Sequence, residues 1–323
     1  MGANGSGTSA PRVDVLLGTF NEARYVDAFM HSMLAQTYPH WRLIARDDGS
    51  SDGTQARLED WQVRLGTRLT ILPDSGQGNL GIAGNFSRLL AESTASHVMF
   101  ANPDDLWRSD KIALTLGAMT HLETQAGTDT PCLVHTDLRM VDEHLALIAP
   151  SLWQFQGLVP ERARRVSRIC MENIVWACTT MINRALVARA GSVPRASHNE
   201  DWWMALVAAA FGRIASMPET PIDWRRRENA ATTTSEPGAL ILRTLASPAS
   251  GRRRLHAVLA GCRPRAQAFL DRFGPELMPR DREALEAFLA LPDQGPVRKR
   301  LSILQHRLFF SSWRRTVGML LLI

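Results

Sequence analysis

The 323-residue sequence is poor in cysteine, and its four cysteines, Cys132, Cys170, Cys178 and Cys262, form no C-x-x-C pair. That scarcity excludes a disulfide scaffold. No apolar run approaches the roughly 20 residues that a membrane-spanning helix needs. The first ten residues, MGANGSGTSA, carry no charge and no apolar run, so we expect residues 1–11 to form a flexible leader and not a secretory signal. Reduced thiols in the cytoplasm are then the simplest prediction.

Acidic residues are absent from residues 294–323, which contain six basic ones: Arg298, Lys299, Arg300, Arg307, Arg314 and Arg315. The whole chain has a net charge of +5, so the remainder of the chain is close to neutral. A near-neutral body predicts no nucleic-acid partner. The basic tail is also rich in Leu, Phe and Trp, which predicts peripheral contact with the inner face of an anionic membrane. A packed helix with surface arginines is the alternative.

Apolar runs rich in Val, Leu and Ile alternate with helical patterns through the first half of the chain. The strand patterns cover residues 13–17, 43–45, 69–72 and 98–101, and the helical patterns cover residues 24–36, 55–65, 82–92 and a stretch after Ser109. This alternation predicts an α/β fold with a mostly parallel sheet and helices on both faces. Ligands of such sheets bind at the carboxyl ends of the strands, so the residues that follow each strand are the candidates for function.

The second half of the chain is less regular. Strand patterns at residues 133–140 and 179–182 flank a basic helical pattern near residues 161–171, and a further helix is predicted over residues 200–211. Beyond Asn229 the pattern is helical and carries no motif. We therefore predict a catalytic domain over residues 12–235 and a helical C-terminal region over residues 236–323.

Two pairs of adjacent carboxylates follow predicted strands: Asp47 with Asp48, and Asp104 with Asp105. Acids before a helix commonly cap free backbone N–H groups. Two neighbouring like charges, however, are unfavourable unless a cation or hydrogen-bond donors lie beside them. The two pairs therefore predict a site for a cation or a ligand at one edge of the sheet.

The stretch from Gly76 to Gly81 matches the G-x-G-x-x-G dinucleotide pattern, which leaves a nicotinamide enzyme as one alternative. The pattern follows the third predicted strand, however, whereas the dinucleotide fingerprint normally follows the first.

Asp201 begins a predicted helix and is followed by Trp202 and Trp203. An acid in the first turn is favoured by the helix dipole, and the tryptophans could belong to the core. A carboxylate beside aromatic rings is also desolvated, which suits a general base. The three consecutive arginines 225–227 could face solvent, or they could hold a diphosphate through their guanidinium groups.

Taken together, these stretches resemble a family 2 glycosyltransferase, of the bacterial kind often labelled rhamnosyltransferase. The matching segments are VDVLLGTFN (13–21), DDGSSDGT (47–54), GIAGNFSRLL (81–90), NPDDLWRSDK (102–111), residues 136–142, NIVWACTTMINR (173–184), DWW (201–203) and WRRREN (224–229). The resemblance accounts for the glycines better than a dinucleotide site does.

The resemblance implies a Rossmann-like, A-type glycosyltransferase fold and sugar transfer with inversion from a UDP- or dTDP-sugar, dTDP-rhamnose among them. It implies a glycan or lipid-linked acceptor in surface polysaccharide synthesis, such as O-antigen. The nucleotide-sugar contacts would be Thr19, Asn21, Glu22, Asp48, Asn85, Asn102, Asp104, Arg225 and Arg227. Asp104 would bind Mg²⁺ or Mn²⁺, Asp201 would be the catalytic base, and Trp176, Trp202 and Trp203 would lie on the acceptor side.

Two residues depart from the family pattern. Asn102 stands where the signature has its first Asp, and Arg227 stands where the last motif has His. Because Arg cannot coordinate a metal, we expect arginines 225–227 to substitute partly for metal by neutralising the diphosphate. The same departures motivate the alternative of a catalytically weakened protein that binds sugars or partners without turnover.

Overall fold

The computed structural model describes residues 10–73, 76, 78–227 and 247–323. The strands are β1 (Val13–Thr19), β2 (Trp41–Asp47), β3 (Leu69–Ile71), β4 (His97–Ala101), β5 (Leu106–Trp107), β6 (Cys132–Thr136), β7 (Arg139–Val141), β8 (Leu147–Ala149), β9 (Thr180–Asn183), β10 (Arg213–Met217) and β11 (Ile222–Arg225). The helices are α1 (Ala23–Leu34), α2 (Thr54–Leu65), α3 (Gly81–Glu92), α4 (Lys111–Ala126), α5 (Leu152–Gln156), α6 (Val166–Ile169), α7 (Arg184–Ala190), α8 (Glu200–Phe211), α9 (Pro248–Phe273), α10 (Pro279–Ala290), α11 (Pro296–Gln305) and α12 (Trp313–Leu322).

Seven strands form the central sheet, in the order β10-β6-β9-β4-β1-β2-β3. All neighbouring strands are parallel except β9, which runs antiparallel to both β4 and β6. Four short strands form a second sheet, in the order β5-β11-β7-β8. Its strand β5 begins directly after Asp105. The predicted mostly parallel α/β architecture is therefore confirmed.

The central strands are apolar on both faces because helices cover both sides of the sheet. Along β1, Val15 and Leu17 belong to the core beneath α1, α2 and α4, whereas Leu16 between them belongs to the core beneath α3 and α8. This alternation follows from the two-residue period of a strand.

The C-terminal helices pack against the same core as α8. Trp203 of α8 lies edge-on to Phe269 of α9, with 5.3 Å between the ring centroids, and Phe288 of α10 belongs to the same cluster. The C-terminal region thus continues the core of the sheet. None of the helices in the described part of the chain is both long and apolar enough to cross a bilayer.

Some predicted boundaries differ from the structure. The single strand predicted over residues 133–140 is divided into β6 and β7, because the Asp137 carboxylate accepts hydrogen bonds from the backbone of Leu138 and Trp153 and turns the chain. The predicted basic helix is only a 3-10 turn at Pro160–Ala163 followed by the single-turn α6. The predicted boundary near residue 235 and residues 1–9 of the predicted leader lie outside the described residues.

Candidate active site

The carboxyl ends of β1 and β2 lie side by side, with Thr19 opposite Asp47 in the parallel register. The hydroxyl of Thr19 donates to Asp47 Oδ1 at 2.8 Å. Asn21 has a positive φ of 56°, a conformation that Asn tolerates, and its side-chain oxygen accepts from the backbone N–H of Ser51 at 2.9 Å. Thr19 and Asn21 therefore fix the turn after β2 against the end of β1.

Asp48 is buried and fully engaged with protein groups. It accepts from the guanidinium of Arg46 at 2.5 Å and from the backbone N–H groups of Leu80 and Gly81 at 2.9 and 2.8 Å. Asn85 also accepts from Arg46, at 3.0 Å. Asp48 thus caps the start of α3, and with Asn85 it holds a buried arginine beneath the predicted nucleotide side.

Arg227 bridges two carboxylates at the same edge. Its guanidinium donates to both oxygens of Glu22, at 2.9 and 3.2 Å, and lies 2.9 Å from Asp104 Oδ2. Burial and, next, the charge of Asp104 raise the pKa of Glu22 to about 7, although Arg227 acts in the opposite direction. Burial likewise raises the pKa of Asp104, and Arg227 again opposes the rise. The structure therefore brings together Glu22, Asp104 and Arg227, which the sequence places in separate motifs.

Arg225 has a structural role in this arrangement and presents little surface to a diphosphate. Its guanidinium donates to the backbone carbonyls of Asp104, at 3.1 Å, and Glu143, at 2.5 Å. Arg225 is buried, whereas the neighbouring Arg226 is exposed. These carbonyls occupy two of its donor groups, Nε and Nη1, and the diphosphate contact predicted for Arg225 stays a prediction.

Behind Asp104 lies a buried polar cluster. Asp105 is fully buried and accepts from the side-chain amide of Asn102 at 3.3 Å, so Asn102 is turned toward the protein. Burial and the charge of Asp104 raise the pKa of Asp105 well above its usual range. Lys111 is also buried, with its ammonium 4.5 Å from the ring centroid of Trp107, and burial lowers its pKa to about 8. This cluster supports the Asp104 turn from within.

The side chains at this edge do not fit a divalent cation as they are arranged. In the described ranges, no three His, Cys, Asp or Glu side chains come together in a way that could hold a metal ion. Asp104, the predicted metal ligand, is paired with Arg227, and the Glu22 oxygens are bound to the same guanidinium. While Arg227 holds Asp104 Oδ2 and both Glu22 oxygens, it competes with a divalent cation for these three atoms.

Asp201 lies in the first turn of α8 and is nearly inaccessible to solvent. Its carboxylate accepts from the Asn173 side chain at 3.0 Å and from the backbone N–H groups of Ala177, at 2.9 Å, and Trp202. Burial raises the pKa of Asp201 to about 6, while these donors and Arg265 limit the rise. A carboxylate with this pKa is ionised at neutral pH and can accept a proton.

The three tryptophans predicted for the acceptor side occupy different environments. Trp203 has no exposed surface, donates to the Ala190 carbonyl at 3.2 Å and packs against aromatic rings of α9. The acceptor contact predicted for Trp203 is therefore corrected to a core position. Trp202 and Trp176 are half-buried, and Trp202 donates to the Ile169 carbonyl.

Residues 177 and 178 link Asp201 to the turn that contains Asp104 and Asp105. The backbone of Ala177 binds Asp201, and the neighbouring Cys178 thiol interacts with Asp105 behind the Asp104 turn.

Sequence reasoning missed Arg46, and the only available signal was its place directly before the Asp47–Asp48 pair. It also missed Arg265, which lies in a region without motifs.

Comparison with known proteins agrees with this fold. Residues 14–140 match the family described as Glycosyl transferase family 2. The curated relatives include the putative teichuronic acid biosynthesis glycosyltransferase TuaG of Bacillus subtilis, which is 30% identical over 109 residues (34% of this chain and 42% of TuaG). Another is the UDP-Glc:alpha-D-GlcNAc-diphosphoundecaprenol beta-1,3-glucosyltransferase WfgD of Escherichia coli, 26% identical over 107 residues (33% of this chain and 40% of WfgD). The chain thus spans less than half the length of these relatives, and the predicted family is confirmed over residues 14–140.

Solved structures confirm the A-type glycosyltransferase fold. S. aureus TarS 1-349 in complex with UDP-GlcNAc has a TM-score of 0.53 at 14% identity, covering 92% of this chain and 87% of that one. The mannosyltransferase PcManGT of Pyrobaculum calidifontis, in complex with GDP-Man and Mn²⁺, has a TM-score of 0.52 at 17% identity, covering 93% and 87%. At these identities the likeness concerns the fold alone.

Proposed function

We propose that the chain is an inverting glycosyltransferase that moves a sugar from a nucleotide-diphosphate donor to a hydroxyl of a glycan or lipid-linked acceptor in surface polysaccharide synthesis. The observation that carries the proposal is Asp201, a buried acid with a pKa near 6, linked by residues 177 and 178 to the Asp104 turn. The relatives named for teichuronic acid synthesis and UDP-Glc transfer support a UDP-sugar donor and a polysaccharide product.

The two regions divide the chemistry between them. The acceptor hydroxyl is a poor nucleophile, so Asp201 takes its proton as the bond to the sugar forms. The nucleoside diphosphate leaves with negative charge, which a preorganised cation stabilises. Arg227 supplies positive charge at the carboxyl edge of the sheet, and its guanidinium would bind phosphate oxygens in exchange for its contacts with Glu22 or Asp104. A single displacement from the opposite side of the sugar inverts the anomeric centre.

The Asp201→Asn variant tests this proposal. Loss of a general base typically lowers turnover about 10²–10⁴-fold, and donor binding should persist because Asp201 lies on the acceptor side. Asp129→Asn, at an exposed position after α4, is the matched control. Sugar transfer and donor affinity would be measured for both variants. Full turnover by Asp201→Asn would exclude Asp201 as the base.

The pairing of Arg227 with Asp104 favours one second candidate, a protein that binds donors without turnover. A parent protein that binds UDP-sugars but neither transfers nor hydrolyses them would support it. The nicotinamide alternative loses support, because Asp48 occupies the N–H groups at the start of α3 that a pyrophosphate would need.

We also propose that the C-terminal helices contact an anionic membrane surface. Apolar side chains at helical spacing are exposed on α11 and α12: Val297, Leu301, Leu304, Trp313, Val317 and Leu321. We call these six residues the apolar tail face. Basic residues and no acids surround them in the sequence, which suits anionic lipid. Leu308, four residues after Leu304, is by contrast buried and is not part of this face.

The apolar tail face belongs to helices that are fixed to the body. Arg315 pairs with Glu172, the Ser311 backbone donates to the same carboxylate at 2.9 Å, and Arg300 of α11 donates to the Leu320 carbonyl of α12 at 2.8 Å. The two exposed rows of side chains are therefore held on linked helices, and deleting the tail would remove core residues as well.

Flotation with phosphatidylglycerol vesicles tests the membrane contact. Replacing Leu301 and Trp313 with serine should reduce the bound fraction by at least about tenfold, since burying each side chain contributes roughly 1.5–3 kcal/mol. Val63→Ser, at an exposed apolar position of α2, is the control. Equal flotation of the parent and the double variant, or equal binding of the parent to phosphatidylcholine vesicles, would contradict the proposal.

A further inference from the structure

We propose that Arg265, in the C-terminal helical region, is a positioning residue for Asp201 that clamps the first turn of α8 and keeps the base ionised. The inference rests on the function proposed above and extends the catalytic unit beyond the segment that matches the family.

The guanidinium of Arg265 contacts residues that precede and follow Asp201 in the sequence. Arg265 extends from α9, and its Cζ lies 3.3 Å from the ring centroid of Trp202, whose backbone N–H donates to Asp201. The Nε and Nη2 groups of Arg265 donate to the Ser197 carbonyl, at 3.0 and 2.8 Å, in the turn that precedes α8. Arg265 thus fixes the residues immediately before and after the start of the helix that carries the base.

The charge of Arg265 has no paired carboxylate within ion-pair distance among the described residues, although the side chain is only 3% exposed. Its Nη1 group also lacks a hydrogen-bond partner in those ranges. A buried cation is costly unless a negative charge lies nearby. Asp201 is the carboxylate that interacts with it, and the interaction favours the charged form of both groups.

The other titratable groups around Asp201 and Arg265 do not replace this interaction. Burial and the charge of Asp201 raise the pKa of Glu200 well above its usual range, and a carboxyl group supplies no positive charge in either protonation state. The thiols of Cys170 and Cys262 face Arg265, and burial raises the pKa of both, so they are neutral. Arg265 is therefore the cation that opposes the effect of burial on Asp201.

A second arginine of α9 provides a matched control. Arg272 lies two helical turns further along, 4.9 Å from the ring centroid of Trp203, and donates to the carbonyls of Ala190 and Ser192. It makes the same kinds of contact as Arg265, an aromatic ring and backbone carbonyls, but it is not among the groups that shift the pKa of Asp201. Because Arg272 is exposed and Arg265 is buried, substituting Arg272 controls for the loss of ring and carbonyl contacts.

The pH dependence of kcat/KM, measured from pH 5 to 9, tests the inference in Arg265→Met, Arg265→Lys and Arg272→Met. Loss of the nearby cation should move the acidic limb of the Arg265→Met profile upward by about one pH unit. Because a smaller fraction of the base is ionised at pH 6, kcat/KM of Arg265→Met should fall about fivefold more at pH 6 than at pH 8.5, relative to the parent. Arg265→Lys should shift less, and Arg272→Met should not shift.

Circular dichroism verifies folding, and a ¹³C carboxyl titration, assigned by comparison with Asp201→Asn, follows the base directly. An unchanged acidic limb in folded Arg265→Met, or an equal shift in Arg272→Met, overturns the positioning role. If Arg265→Met does not fold, a carboxyl titration of Asp201 above pH 7 in the parent overturns the positioning role. Full activity of Asp201→Asn would instead overturn the proposed function, so the two failures are distinguishable.

Discussion

Replacing Arg227 with glutamine removes the positive charge that lies between Glu22 and Asp104. The Arg227 side chain is 30% exposed, and the two carboxylates are each 11% exposed. Breaking a fully buried ion pair costs about 3–5 kcal/mol, and an exposed pair contributes about 0–1 kcal/mol. The partial exposure places Arg227→Gln between these limits, so we expect a loss of about 2 kcal/mol in the free energy of unfolding.

That loss should depend on pH. Arg227 lowers the pKa of both Glu22 and Asp104 against the effect of burial, so both pKa values rise further when it is removed. At pH 8 the variant must hold two ionised carboxylates close together, whereas at pH 5 protonation relieves their repulsion. The variant should therefore lose more stability at pH 8 than at pH 5.

Thermal unfolding with and without Mn²⁺ is the assay. In a chain of this size, 2 kcal/mol corresponds to a decrease in Tm of roughly 3 °C. Millimolar Mn²⁺ should restore much of that decrease in Arg227→Gln, because two free carboxylates can bind it, and should change the parent little. Arg226→Gln, at the exposed neighbouring position, is the control. Equal stabilisation of parent and variant by Mn²⁺ would refute the view that Arg227 takes the place of a metal.

Two further predictions concern stability. The pKa of Glu22 is raised from 4.5 to about 7 in the folded protein, so the folded state binds this proton more tightly than the unfolded state. The contribution of Glu22 to the free energy of unfolding therefore falls as the pH rises from 4.5 to about 7. Glu22→Gln removes the fall, so its stability relative to the parent, measured by urea unfolding, should be more favourable at pH 8 than at pH 5. Gly212→Ala should destabilise by more than about 3 kcal/mol in the same assay, because its Cβ would lie 1.7 Å from the Pro131 carbonyl oxygen. Gly117→Ala, inside α4 with nothing within 4 Å, should instead stabilise by about 0.5–1 kcal/mol. Equal effects at the two glycines, or a pH-independent Glu22→Gln, would contradict these expectations.

Local patterns predicted much of the fold. The apolar runs located β1 to β4 within two residues, and α8 begins at Glu200, as expected. Parallel strands bring their carboxyl ends to one edge, so the proximity of Asp48 and Asp104 to the same edge followed from topology. The resemblance then related these residues to a donor site.

Other features depend on contacts that no local pattern contains. Trp202 and Trp203 are adjacent on a helix that is apolar on nearly every side, so periodicity could not show that only Trp203 enters the core. Arg265 lies 64 positions after Asp201 in a region without motifs, and only packing brings them together. The pairing of Arg227 with Asp104 likewise required the approach of β11 to the Asp104 turn.

The reversed strand β9 limits how the two parts of the central sheet can move. It is hydrogen-bonded to β4 on one side and to β6 on the other, so the part that contains β1 to β4 and the part that contains β6 and β10 form one continuous sheet. Moving these two parts apart as rigid bodies would break the hydrogen bonds between β9 and its neighbouring strands. A rearrangement that exposes Asp104 therefore has to be local, such as the separation of Arg227 from the Asp104 carboxylate.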